Sequence, residues 1–167
     1  MNSKIKIFIT GGTFDKEYNE ISGELYFQNT HMYELLELGR CKAEVEIETL
    51  MMVDSLEMTT EERNYVVQKC LEEPIKQIII THGTDTMVET APQLADTIEN
   101  KTIVLTGAMI PFKFGSSDGL FNMGSALSYV QALSKGIYIS MNGRIFDWRN
   151  VCKNIKLGIF EELETAK

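Results

Sequence analysis

The chain has 167 residues, 24 of them acidic and 16 basic, for a formal net charge of −8. That length suits one domain with a sizeable core rather than two, and a hydrophobic share of 44% excludes disorder as the dominant state. The acidic surplus excludes a nucleic-acid backbone as partner and disfavours an anionic membrane surface, since both call for a basic face.

The first expected element is a buried strand from Lys4 to Thr10, with Ile5, Ile7, Phe8 and Ile9 in a short apolar run. Gly11-Gly12 ends the run where the apolar region of a signal peptide would continue, so the start does not read as one. Thr13 to about Asn29 is polar, contains Gly23 and shows no clear period. Met32 to Arg40 reads as a helix, with Met32, Leu35, Leu36 and Gly39 at helical spacing. Val45 to Leu50 alternates Val/Glu/Ile/Glu, the pattern of a strand with one wet face. Thr60 is the expected cap of a helix to about Glu72, and Glu61 and Glu62 suit its positive end.

Lys76 to Thr81 is another buried strand, His82-Gly83-Thr84 a turn, and a helix is expected from Asp85 or Thr86 to about Ile98. Thr102 to Thr106 is a strand closed by Gly107, and a loop with Pro111, Gly115 and Asp118-Gly119 leads to a helix from about Leu120 to Leu133. Ile137 to Met141 reads as the last clear strand, before Asn142-Gly143 and a polar, partly basic stretch to Lys156. Glu161 to Lys167 reads as a solvated tail.

Alternating strands and helices with fully apolar strands predict a three-layer α/β sandwich with a mainly parallel sheet, Rossmann-like or flavodoxin-like, over residues 1–167 as one domain. No apolar stretch is long enough to cross a bilayer. Three scattered cysteines, Cys41, Cys70 and Cys152, form neither a disulfide frame nor a zinc pattern. With two histidines, His31 and His82, a metal site would need an all-carboxylate design. The expected setting is a reducing cytoplasm, with no cofactor and no metal.

In such folds the ligand sits outside the carboxyl ends of the strands. Those ends carry Thr10-Gly11-Gly12-Thr13, Thr81-His82-Gly83-Thr84-Asp85-Thr86 and Thr106-Gly107-Ala108-Met109. Glycine lets a ligand approach the backbone, and the threonines are expected to offer hydroxyls to the crevice. Thr84 and Asp85 also stand where a helix begins, with unspent N–H groups. One Thr-Gly turn alone reads as a cap or turn former; three at one sheet edge point to a site. Neither GxGxxG nor GxxxxGK[ST] occurs, so the dinucleotide and P-loop fingerprints are absent.

Thr10-Gly11-Gly12-Thr13 and Thr81-His82-Gly83-Thr84-Asp85-Thr86-Met87 resemble the two signature motifs of the bacterial-type L-asparaginases. Thr106 to Met109 with Pro111, then Asp118-Gly119 and Asn122, resemble the segment that follows, and Met141-Asn142 with Arg149 to Asn154 the stretch that carries that family's lysine. Family members usually add a smaller C-terminal domain that lends an acidic residue to the neighbouring subunit's site. The chain resembles the short, single-domain members.

The resemblance implies hydrolysis of L-asparagine to L-aspartate and ammonia, with Thr13 as the nucleophile that forms an acyl-enzyme. Thr84, Asp85 and Lys153 form the second group: Lys153 acts as base through Thr84 or a water, and Asp85 orients it and binds the α-amino group. A lysine is a base only when neutral, so burial or a hydroxyl relay must offset Asp85. The backbone N–H of Thr84 is the expected oxyanion donor. Asp54 and Ser55, with Gly12, Gly83 and Ala108, fall where the family binds substrate, while Leu56 departs from the polar residue often found beside that serine. The family's loop tyrosine is Tyr18 or Tyr26, with Tyr18 favoured, on a segment that could act as a lid. His82 reads as a packing residue and His31 as a helix start. A homodimer or homotetramer is expected. Two other readings stay open: a binding or sensor domain without turnover, and a hydrolase of another small amide such as glutamine.

Overall fold

A computed structural model describes residues 4–163. Its first half comprises β1 (Ile5–Gly11), a 3₁₀ turn (Thr13–Asp15), β2 (Lys16–Asn19), β3 (Glu24–Phe27), α1 (Met32–Leu38), β4 (Val45–Val53) and α2 (Thr60–Glu72). Then come β5 (Gln77–Thr81), α3 (Met87–Thr97), β6 (Thr102–Thr106), a second 3₁₀ turn (Phe112–Phe114) and α4 (Gly119–Ala132). β7 (Gly136–Met141), β8 (Arg144–Asp147), β9 (Cys152–Asn154) and β10 (Ile159–Glu161) follow.

The central sheet has six strands in the order β4-β1-β5-β6-β7-β8. Neighbours are parallel throughout except β7 and β8, which are antiparallel. Strand alternation divides the apolar side chains between two faces. Phe8, Ile78, Ile80, Ile103 and Leu105 pack with Val66, Cys70, Ala91 and Leu94 of α2 and α3. Ile5, Ile7, Ile9, Ile79 and Val104 pack with Leu35, Met123, Ala126 and Val130 of α1 and α4. The result is the expected three-layer α/β sandwich. At the β4 edge, Glu48 pairs with Lys6 at 2.9 Å and Lys69 at 2.6 Å, and Glu46 pairs with Lys4, which accounts for the strand's wet face.

Several local expectations change. The cap of α2 is Thr59, not Thr60: its hydroxyl accepts from Glu62 N at 3.2 Å and the Glu62 carboxylate accepts from Thr59 N at 2.8 Å, a reciprocal capping box. The helix expected from Asp85 or Thr86 begins at Met87, so Thr84 to Thr86 form a non-helical turn at the sheet edge. The unpatterned segment after Thr13 folds into a β2–β3 hairpin. Ile137 to Met141 is not the last strand. Asn142 and Gly143, at φ 52° and 78°, turn the chain into β8, as an Asn-Gly pair does in a two-residue hairpin. The ribbon β9–β10 follows, pinned to the core by Val151 and Phe160. Glu161 thus lies in a strand; residues 164–167 fall outside the described part. His31 is the N-cap of α1, and the Asp15 carboxylate takes its backbone N–H at 2.8 Å.

Candidate active site

The loops after β1, β4 and β5 converge at the carboxyl edge because three glycines leave room for it. A Cβ on Gly11 would lie 2.5 Å from Val53 N, one on Gly12 2.5 Å from Gly83 N, and one on Gly83 2.4 Å from Ser55 Oγ. Gly12 also has φ 77° and ψ −179°, a region reached at little cost only by glycine. The backbones of Gly12 and Gly83, which precede Thr13 and Thr84, thus touch. Among the described residues, Thr13 Oγ1 has no hydrogen-bond partner.

Lys153 arrives from the other side. In β9 it stands opposite Phe160, whose side chain is buried in the core, so the pairing turns the lysine inward. Its Nζ donates to Thr84 Oγ1 at 2.8 Å and to Asp85 Oδ1 at 2.6 Å. The Lys153 side chain is 8% exposed and that of Asp85 42%, so the amine is shielded while the carboxylate faces the opening. The backbone N–H of Thr84 meets no acceptor among the described residues.

Ser55 is buried, and its Oγ has no partner among the described residues. Asp54 beside it accepts from Leu56 N at 3.0 Å and pairs with Lys16. Burial would lift the Asp54 carboxyl, but the bonds from Lys16 and Leu56 outweigh it and hold the group below its usual 3.8. Ala108 is buried in the core. Two threonines do not serve the crevice as expected. Thr10 Oγ1 donates to Thr81 O and Thr106 Oγ1 to Ser140 O, each at 2.8 Å, so these hydroxyls stitch neighbouring strands.

Both tyrosines lie on the hairpin, on opposite faces. Tyr18 is across from Leu25 and shares its face with Lys16 and Phe27. Tyr26 is across from Glu17 and bonds to it at 3.3 Å, and Glu17 in turn lies 3.1 Å from His31 Nε2. The face that carries Tyr18 is therefore the one whose Lys16 reaches Asp54. Neither hydroxyl bonds to Thr13. Among the described residues, no group of three His, Cys, Asp or Glu could hold a metal ion, and no helix is long and apolar enough to cross a membrane.

The family model described as "Asparaginase, N-terminal" matches residues 4–158. The chain belongs to the asparaginase family. It is 29% identical over 161 residues to the L-asparaginase of Thermococcus kodakarensis, spanning 93% of this chain and 49% of that protein. The solved structure of the thermostable L-asparaginase from that organism superposes with a TM-score of 0.83 at 28% identity, covering 95% of this chain and 51% of the other. The probable cytoplasmic L-asparaginase of Campylobacter jejuni superposes with a TM-score of 0.81 at 31% identity, covering 96% and 53%. A glutamyl-tRNA(Gln) amidotransferase component of Methanococcus vannielii is 31% identical over 153 residues, 86% of this chain and 35% of that one. The chain spans about half the length of the L-asparaginases it matches.

This asparaginase-family chain holds its second motif from behind with a residue that sequence reasoning missed. Arg63 of α2 is buried, donates to Thr86 Oγ1 at 3.0 Å and to Thr90 Oγ1, and lies 3.5 Å from Glu89. Thr86 Oγ1 passes the bond on to Ser55 O at 2.9 Å, so one guanidinium ties the β4 and β5 loops together. A charged residue on a helix reads as solvated in one dimension, and nothing nearby in sequence marks Arg63 as buried.

His82 closes the network as a packing residue. Its Nδ1 lies 2.9 Å from Gly83 O and its Nε2 2.8 Å from Thr90 Oγ1. The Gly83 carbonyl only accepts, so Nδ1 carries the proton and Nε2 accepts from Thr90. Burial first, and the Arg63 charge with it, push the imidazole from 6.5 down to about 4 against the favourable Gly83 bond. Below the unfolded value the unfolded chain binds a proton that the folded chain refuses. Stability therefore falls as pH drops from about 6.5 toward 4, by on the order of 3 kcal/mol from this group in full. We expect the ring ¹⁵N shifts of His82 to remain those of the neutral Nδ1–H tautomer at about pH 5; a protonated ring there would contradict the assignment.

Proposed function

We propose that this domain carries the chemistry of an amidohydrolase that converts L-asparagine to L-aspartate and ammonia through a threonine acyl-enzyme. The observation that carries the reading is the Lys153–Thr84–Asp85 group beside an unpartnered Thr13 hydroxyl. Thr13 Oγ attacks the carboxamide carbon with help from the loop tyrosine, for which the Lys16-bearing face favours Tyr18. The oxyanion is held by the Thr84 N–H. The threonine proton leaves on the nitrogen as ammonia, and an ester remains on Thr13. Lys153, acting as base through Thr84, then takes a proton from water. The resulting hydroxide attacks the ester, the Thr13 oxygen leaves with the aspartyl carboxylate as the other product, and the proton held by Lys153 passes back to that oxygen and restores the threonine hydroxyl. Asp85 keeps Lys153 in place and offers its exposed oxygen to the substrate's ammonium. Ser55, Asp54 and the backbones of Gly12, Gly83 and Ala108 complete the pocket. No step draws on a cofactor.

The reading includes self-association as a homodimer or homotetramer. Leu56, Met109, Ile110, Phe114, Ile155 and Leu157 are exposed on loops around the strand ends, and such an apolar rim suits an interface. A cytoplasmic setting is part of the proposal, in line with the description of the C. jejuni relative.

The test is ammonia release by the purified chain from L-asparagine, beside L-glutamine and D-asparagine. Release from L-asparagine in preference to both supports the proposal. A second reading, hydrolysis of another carboxamide, draws on Leu56, 71% exposed beside Ser55, and on the amidotransferase relative; preference for L-glutamine would favour it. No ammonia from any of the three, with L-aspartate still raising the melting temperature, would point to a binding domain.

A further inference from the structure

Lys16 is a cation at this edge that the proposed chemistry leaves unused. It opens β2, three residues after Thr13, with its side chain 17% exposed and its Nζ paired with Asp54. The Phe27 ring lies beneath the ammonium, 5.6 Å from Nζ to the centroid. An ammonium has three N–H donors, and Asp54 is its sole acceptor among the described residues. Two other cations of the site are committed. Lys153 spends donors on Thr84 and Asp85 and has to be neutral to act as a base. Arg63 is buried behind the loops and bound to Thr86 and Thr90. On the other side of Asp54 stands Ser55, its buried hydroxyl without a partner among the described residues.

We infer that Lys16 is a specificity-determining residue that supplies the cation for the substrate's α-carboxylate, beside the subsite where the family resemblance already places Ser55. The inference rests on the amidohydrolase reading and names the group by which that site selects its substrate. A zwitterionic amino acid needs an anion for its ammonium and a cation for its carboxylate. Asp85 supplies the first and Lys16 the second. Asp54 positions the ammonium of Lys16. Lys16 shares its hairpin face with Tyr18, two residues on.

The experiment compares wild type, Lys16→Met and Lys16→Arg on L-asparagine and on its α-amide analogue, which lacks the carboxylate charge. Loss of a charge-assisted bond predicts that Lys16→Met raises KM for L-asparagine about 30-fold or more with a much smaller change in kcat. The ratio of kcat/KM between the two substrates should collapse toward one in Lys16→Met and recover in Lys16→Arg. A lysine that merely braced the hairpin would depress both substrates alike and leave the ratio unchanged, which would overturn the inference. If wild type releases no ammonia, the amidohydrolase reading fails, and L-aspartate binding then decides this one. A thermal shift in wild type that Lys16→Met abolishes sustains it; equal shifts, or none in wild type, refute it.

Discussion

Thr13→Ala is expected to lower kcat for L-asparagine by about a thousandfold or more while moving the melting temperature by no more than a degree or two. The two halves have separate causes. The Thr13 hydroxyl has no hydrogen-bond partner among the described residues, and the side chain is half-buried at the sheet edge. Removing it therefore breaks no bond, and such substitutions stay within about 0.5 kcal/mol. Activity depends on that oxygen as the atom that forms the ester. Thr84→Ala should behave differently, because its hydroxyl accepts from Lys153. Its loss frees the amine to rest on Asp85 alone and removes the relay to water. Full activity in Thr13→Ala with none in Thr84→Ala would move the nucleophile to Thr84. Ammonia assays and melting curves on both variants decide the matter.

That division of labour follows from how the two threonines are held. Thr84 sits in a turn fixed from three directions: Lys153 on its hydroxyl, the Gly12 backbone against Gly83, and the Arg63 network through Thr86. Thr13 opens a short 3₁₀ turn whose next residues, Phe14 and Asp15, are buried. Its backbone is anchored while its hydroxyl stays unspent. A relay gains from fixed partners; a nucleophile gains from an oxygen with nothing else to bond.

The parts legible in one dimension are those where local pattern and tertiary role coincide. The parallel strands are buried on both faces, so Ile78-Ile79-Ile80 and Ile103-Val104-Leu105 announce themselves as apolar runs. The Thr-Gly turns are visible because close backbone contacts leave room only for glycine. The β2–β3 hairpin is invisible for the opposite reason. Its strands are largely exposed, and it is tied down by Lys16–Asp54 and Glu17–His31, contacts between residues far apart in sequence. The α2 cap slips by one residue because Thr59 and Thr60 are equally good by type, and the reciprocal bond with Glu62 selects the first. The β7–β8 turn did carry a local signal, Asn142-Gly143, flanked by a strand on its N-terminal side. The direction of a threonine hydroxyl is not encoded at all: Thr10 and Thr106 look like crevice residues and bond sideways to the neighbouring strands.

Gly12→Ala should be a severely damaging substitution for the addition of a single methyl. At φ 77° and ψ −179° an alanine is strained by about 1–3 kcal/mol before any contact is considered. Its Cβ would also lie 2.5 Å from Gly83 N and 2.6 Å from Gly83 Cα, and backbone cannot move aside as a flexible side chain can. The β1 and β5 loops must then separate, which takes Thr13 away from Thr84 and its N–H. A combined cost of roughly 3 kcal/mol or more predicts a melting temperature about 6–12 °C lower for a chain of this size. Activity should fall further than stability, since a displacement near 1 Å can cost a hundredfold in rate. Gly23→Ala is the control. It shares the left-handed φ, at 74°, but its nearest neighbour is Tyr18 Oη at 3.9 Å, at the tip of the exposed hairpin. It should lose about 1 kcal/mol and keep most activity. If the two alanines proved equally mild, the close Gly12–Gly83 approach would not be what holds the two threonines together.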